Sequence, residues 1–273
     1  FLMADPSVAL YIDDVYLPFA MAANQKFGKL QRTEVLKGPQ GTLFGRNSVG
    51  GAINVVTEKP DFNREFGTIE LEGGDYAKRS AKLFINVPLL DNLAFNVTAL
   101  KDERDSYYNG VEDIGLSNPD GTPVGGEDSL GFQAKLRYAP TDWLDLALNG
   151  TRVKERGVAG LYSPNDDPSP LGLLLGIQAQ KGFDNTRTSE PAKLNVDNTI
   201  VSGAAKMTFE AFDAKLTGSR QDIESNNSID FDGSPIPVAG FNLLRNFAEI
   251  TTAELQFLSN NTSWGSEQWS WIV

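Results

Sequence analysis

The chain contains no cysteine and no histidine. The first absence excludes disulfides, thiolate metal sites and thiol nucleophiles. The second removes the commonest transition-metal ligand and the commonest general base. No paired carboxylates stand at a recognisable catalytic spacing, so the sequence reads as non-enzymatic, with neither cofactor nor metal called for. Long apolar runs are also missing. The longest, Leu171 to Ile177, falls far short of the roughly 18 residues a membrane helix needs. No charged-then-apolar leader opens the chain. The net charge is −12 and no basic patch stands out, so nucleic acid is not an expected partner.

What is present is 40% hydrophobic and 22% charged, too apolar for a disordered chain and too polar for a helical membrane protein. Two regions differ in pattern. Residues 1–60 hold short apolar runs, Val8–Ile12, Glu34–Leu36 and Ala52–Thr57, separated by glycine-rich turns. They read as strands of a small mixed α/β domain that ends near Pro60–Asp61. Residues 61–273 repeat about ten residues of period-two alternation followed by a turn. The pattern predicts nine strands, over 66–73, 77–87, 93–105, 130–138, 143–155, 197–209, 213–224, 246–259 and 267–273.

Each predicted strand has one apolar and one polar face. Leu130, Phe132, Ala134, Leu136 and Tyr138 alternate with Gly131, Gln133, Lys135 and Arg137, and Leu216 and Gly218 alternate with Lys215, Thr217 and Ser219. A soluble antiparallel sheet shows the same alternation. The connections separate the two readings. Short links at 88–92, 139–142, 210–212 and 260–266 alternate with long ones at 106–129, 156–196 and 225–245, and only Gly73–Tyr76 breaks the long series. Short turns at one rim and long loops at the other are the asymmetry of an outer-membrane barrel, so the long loops are expected outside and the short turns in the periplasm. Tyr107, Tyr108, Tyr138, Trp143, Trp264, Trp269 and Trp271 near strand ends suit an interfacial girdle, although aromatics are common in any β protein. Asp230-Phe-Asp-Gly233 and Asn165-Asp-Asp167 offer oxygen ligands for calcium, but neither completes a loop motif and solvated turns are the better reading.

The stretch from Arg32 to Thr57 is the most distinctive. Its glycines, Gly38, Gly41, Gly45, Gly50 and Gly51, are irregularly spaced, which means tight turns and close backbone approach. No Lys-Ser/Thr pair follows Gly50, so a phosphate loop is excluded, and no helix follows for a dinucleotide fingerprint. With Glu34, Gly38, Pro39, Gly41, Leu43, Phe44, Gly45, Arg46, Gly50, Gly51 and Asn54, this stretch resembles the plug-domain signature of TonB-dependent outer-membrane receptors. Val8 to Tyr16 resembles the strand-turn-strand that precedes it, and Ala253-Glu-Leu-Gln-Phe-Leu-Ser259 resembles a recurring barrel strand of the family.

The resemblance implies a fragment: the back half of a plug over 1–60, then the first strands of a larger antiparallel transmembrane barrel over 61–273. Early plug and TonB box would lie before Phe1, and further strands after Val273. It implies active uptake of a scarce solute, such as a siderophore-iron complex or cobalamin, across the outer membrane of a Gram-negative bacterium. The implied partners are membrane lipid, the solute, and TonB with its inner-membrane energising complex. A passive channel or surface receptor on the same barrel is the alternative, and a soluble β adhesin a third. The ligand-contacting residues are not legible. In this family plug arginines are held by barrel glutamates, and Arg46 matches that motif position. Glu254, flanked by Ala253 and Leu255 on the opposite face, is a candidate partner for a plug–barrel latch.

Overall fold

The computed structural model describes residues 7–17, 28–41, 47–107, 126–157, 174, 193–230, 240–260 and 272. Among them, two sheets form. The first contains β1 (Val8–Ile12), β2 (Val15–Leu17), β3 (Leu30–Lys37) and β4 (Gly51–Thr57), in the order β2-β1-β4-β3. The β-branched and aromatic content of these runs suits a half-buried pleated surface. β1 and β2 are joined by two residues, Asp13 and Asp14, both with positive φ (48° and 66°). That is the backbone of a primed hairpin turn, which aspartate tolerates better than most side chains. β4 runs parallel to β1 and antiparallel to β3.

The second sheet is an antiparallel meander in which every neighbour in space is a neighbour in sequence. Its strands are β5 (Phe66–Gly74), β6 (Lys78–Leu90), β7 (Leu93–Arg104), β8 (Glu127–Thr141), β9 (Leu144–Arg156), β10 (Lys193–Thr208), β11 (Asp213–Asp230) and β12 (Gly240–Leu258). Its hydrophobic pattern is inverted relative to a soluble sheet. Asn86, Asn96, Gln133, Thr151, Asn198 and Gln221 are buried on the face that meets the first sheet. Ile69, Leu71, Leu83, Phe132, Leu148 and Val201 are exposed on the other. A continuous apolar face of this extent in water would drive aggregation, whereas in lipid it is at rest. The soluble-sheet reading is therefore set aside.

The predicted faces hold residue by residue: Phe132 is 51% exposed and Leu216 47%, against 3% for Gln133 and 8% for Thr217. The predicted strand ends do not. The stretch 225–245, expected as a loop, is largely strand, with β11 and β12 paired from Asp213↔Leu258 up to Asp230↔Gly240. β12 has 19 residues, which at about 3.3 Å each and a tilt of about 40° makes a wall roughly 45–50 Å tall, against an apolar band of about 25 Å. The upper part stands in water, where Ser225-Asn226-Asn227-Ser228 loses the apolar alternation while the ladder continues. β8 and β10 likewise begin earlier than predicted, at Glu127 and Lys193. The ninth strand, 267–273, lies outside the described residues except for Ile272, which bridges Leu258. Tyr108, Trp264, Trp269, Trp271, Asn165-Asp-Asp167 and all of the Asp230–Gly233 stretch but Asp230 also lie outside them.

The short-link rim carries an aromatic cluster. Phe212 lies 5.0 Å from Phe209 and 5.6 Å from Phe257, centroid to centroid, and Tyr138 and Trp143 are exposed close by. At the opposite rim Tyr76 and Tyr107 stack edge-on at 4.7 Å, and the Arg104 guanidinium lies 3.5 Å from the Tyr107 ring centroid. Aromatics at both ends of an apolar band match the two membrane interfaces.

Candidate functional site: the contact between the two sheets

The signature stretch builds the β3–β4 side of the first sheet. Gly51 has φ +147°, and a Cβ there would lie 2.4 Å from the Leu36 carbonyl oxygen, so no other residue fits. Gly50 donates its N–H to Ser7 O at 2.8 Å, Gly38 (φ +84°) donates to Gly50 O at 3.3 Å, and Gln40 donates to Ser48 O at 2.9 Å. Pro39 and Gly41 lie within this connection. Leu43, Phe44, Gly45 and Arg46 lie outside the described residues.

Two motif side chains enter a polar relay. Arg32 Nε donates to Glu34 Oε1 at 2.6 Å, and Asn54 Nδ2 donates to Glu34 Oε2 at 3.2 Å and to Asp14 Oδ1 at 3.4 Å. These bonds, from Arg32 first and Asn54 second, hold the Glu34 carboxyl below the usual carboxylate range. Asp14 in turn accepts from Lys215 Nζ of β11 at 2.5 Å. The motif thus supports a hairpin tip whose carboxylate reaches the barrel wall.

The neighbouring Asp13 is held more deeply. Its Oδ1 accepts the Thr57 N–H at 2.8 Å and its Oδ2 accepts the Thr57 hydroxyl at 2.7 Å. Lys135 Nζ of β8 lies 2.8 Å from Asp13 Oδ2 and donates to Thr57 O at 3.3 Å. The Lys135 side chain is only 7% exposed, so burial makes this pair dependent on every one of those bonds. Ile12, Val15 and Leu17 add an apolar contact with Ile200 of β10.

Other bonds extend the seat. Asn96 Nδ2 donates to Glu58 O at 2.9 Å, Lys29 N donates to Thr98 Oγ1 at 3.4 Å, and Lys29 Nζ lies 5.0 Å from the Phe84 ring centroid. Asn86 brackets the connector: it accepts from Asp61 N at 2.9 Å and donates to Arg64 O at 2.6 Å. Gly28 comes so close to the wall that a Cβ would meet Gln133 Oε1 at 1.9 Å. Below the hairpin lies a cavity of roughly 280 Å³ lined by Asp13, Asp14, Arg137, Asp145, Lys206 and Lys215 among others. Arg137 there grips Asp145 through both Nε and Nη2, at 3.0 and 2.6 Å.

The resemblance implies a plug cation held on a barrel carboxylate. The described ion pairs run the other way, from plug aspartates to barrel lysines. The signal was present: Lys135 and Lys215 fall on the predicted inward faces, where an ammonium needs a partner, and Asp13-Asp14 sits between two apolar runs. Glu254 does face inward, opposite Thr217 in register, and accepts from Gln256 Nε2 at 2.9 Å. Arg46, its expected partner, lies outside the described residues.

A small sheet seated against the polar inner face of a lipid-facing meander defines a plugged outer-membrane barrel. No protein-family profile matches the chain. The pesticin receptor of Yersinia pestis is 36% identical over 146 residues, which cover 50% of this chain and 20% of that receptor. The iron-regulated outer membrane virulence protein of Vibrio cholerae is 34% identical over 84 residues, 28% of this chain and 12% of its own. Among solved structures, the ferric yersiniabactin uptake receptor FyuA of Yersinia pestis superposes with a TM-score of 0.75 at 22% identity, over 94% of this chain and 37% of that one. Pseudomonas aeruginosa FpvA, bound to a pyoverdine–iron complex, gives 0.70 at 15% identity, over 92% and 33%. The chain resembles TonB-dependent outer-membrane receptors in sequence and in fold, and it spans about a fifth of the pesticin receptor's length.

Proposed function

We propose that this chain is the plug-to-barrel part of an energised importer of a metal chelate, most simply a ferric siderophore. The observation that carries the proposal is the two-point seat, Asp13 on Lys135 and Asp14 on Lys215. A plug fixed by a few polar contacts inside a wet lumen blocks passage at rest and is displaceable by work. Residues 1–60 act as plug and 61–273 as wall. The partner that supplies the work is TonB with its inner-membrane complex. The relatives named for a metal chelate or an iron siderophore support the substrate class. We keep the Arg46–Glu254 latch as part of the same proposal.

Cells that depend on the complete receptor for iron should take up radiolabelled ferric siderophore only with TonB and a proton-motive force. Uptake that survives deletion of TonB would favour the passive channel. Topology has its own test, made on the complete receptor with any cysteine outside these 273 residues replaced by serine. An impermeant thiol reagent on intact cells should label Asp75→Cys, in the β5–β6 turn, and spare Asn92→Cys, in the β6–β7 turn. The reverse pattern would invert the barrel.

A further inference from the structure

The cavity beneath the hairpin runs against the charge of the chain. Among the described residues it is lined by six Lys or Arg side chains and three Asp, whereas the whole chain has a net charge of −12. Four of the cations stand on the inner wall: Lys135 and Arg137 on β8, Lys206 on β10 and Lys215 on β11. Lys206 and Lys215 are directly opposite in register, which puts their Cα atoms about 5 Å apart. Like charges so placed weaken a ladder, so both need counter-charge. Lys206 draws on Asp213, a wall residue, at 3.1 Å. Lys215 draws on Asp14, which belongs to the plug. The wall supplies the cavity lining with one carboxylate, Asp145, opposite Lys206 in register, and Arg137 already grips it. Lys59, in the connector, has no ion-pair partner among the described residues and adds a cation on the plug side.

The wall is thus short of negative charge, and the hairpin tip makes up the deficit at rest. Asp13 sits on Lys135 and Asp14 on Lys215. When the hairpin moves, the two carboxylates leave together. Four wall cations then face two wall carboxylates, Asp145 and Asp213.

We propose that this stretch of wall is an anion site for the acid groups of a polycarboxylate, the acidic form of the chelate cargo, and that Asp13-Asp14 fills it when no cargo is there. Two adjacent carboxylates stand in for a ligand that carries two or more. Lysine suits the exchange, because its ammonium is a compact charge on a flexible stem. Exchange begins at the open end of the row, where Lys206 is 56% exposed and Lys215 28%, against 7% for Lys135. An anion that takes Lys215 competes with Asp14, so it favours the displaced hairpin. The cavity, roughly 280 Å³, is at the small end of ligand pockets, about 300 Å³ and up, and takes an acid arm rather than a whole chelate. The inference rests on the importer reading for its purpose but not for its test.

The test uses the purified full-length receptor in mild detergent, with citrate as the probe and its neutral trimethyl ester as the control. An amine-reactive acylating reagent labels accessible lysines, and peptide mass spectrometry reads each one. Citrate should protect Lys206 and Lys215, and the ester neither. Asp14→Asn removes the competing carboxylate and should lower the half-protecting citrate concentration about tenfold, the worth of one charge-assisted hydrogen bond. Lys206→Gln, read at Lys215, should raise it by a similar factor. Heat-modifiable mobility identifies folded barrel for each variant. Where a variant does not fold, citrate against ester on the wild-type protein decides. Equal protection by citrate and ester overturns the proposal, as does no protection in either the wild type or folded Asp14→Asn. A folded Asp14→Asn with the wild-type midpoint overturns it too, because the hairpin would not be competing. Sulfate that protects as well as citrate would mark a site for any anion and overturn the polycarboxylate assignment. Uptake is not measured, so loss of this site leaves the importer reading standing, and uptake without TonB leaves the site standing.

Discussion

Arginine at position 216 is expected to remove most of the folded receptor from the outer membrane, and arginine at position 217 to leave most of it. Leu216 points outward near the middle of the β11 apolar segment, between Ala214 and Gly218, and is directly paired with Leu255. A charge there must sit in hydrocarbon, at a cost of about 2–4 kcal/mol at the midplane. That is roughly 30- to 700-fold in a folding equilibrium, since about 1.4 kcal/mol is tenfold. Thr217 faces the other way, lines the water-accessible cavity beneath the plug hairpin and is paired with Glu254. A guanidinium at 217 meets a carboxylate instead of lipid. Folded yield by heat-modifiable mobility measures both. Equal yields would mean that the register places the two faces wrongly.

Asp13→Ala should unseat the plug more than Lys135→Met does, although each removes one partner of the same pair. Alanine at 13 strands a buried ammonium and leaves the Thr57 N–H without its acceptor, while the Thr57 hydroxyl keeps only Gln133 Oε1 at 3.3 Å. Losing one partner of a buried pair costs about 3–5 kcal/mol. The plug escapes that penalty by moving, so the loss appears as leakage. Methionine at 135 leaves Asp13 with both Thr57 donors and fills the space of the lysine stem. The double variant should leak less than Asp13→Ala alone, because no unpaired charge remains. The readout is sensitivity of otherwise intact cells to large antibiotics that the outer membrane normally excludes. Wild-type exclusion by Asp13→Ala, or a double variant as leaky as that single one, would remove the pair from the seat.

The sequence shows faces well and ends poorly, for one physical reason. Where lipid covers one side and a wet lumen the other, every second residue must be apolar, as in Leu130 to Tyr138. Above the lipid both sides are wet, that constraint vanishes, and Ser225 to Ser228 reads as loop although its backbone remains paired. The signature was legible because glycine has few substitutes at positions such as Gly51. The seat was not. Its partners are far apart along the chain, 201 residues for Asp14 and Lys215, and nothing local to either end states which distant residue it meets. Only the oddity of a lysine on an inward strand face hints that a carboxylate is waiting.

The meander has a consequence for how the molecule is put together. Each wall strand pairs with the one just made, so the wall can grow hairpin by hairpin with short loop closures, the kind that form fastest. The seat cannot form that way. Lys135 arrives with β8 and Lys215 only with β11, so Asp13 gains its partner three strands before Asp14 does. During that interval only one of the hairpin's two ion pairs is made, beside an unfinished wall. A chain that stalls between β8 and β11 should therefore be the form most open to proteases at the Asp13–Asp14 tip.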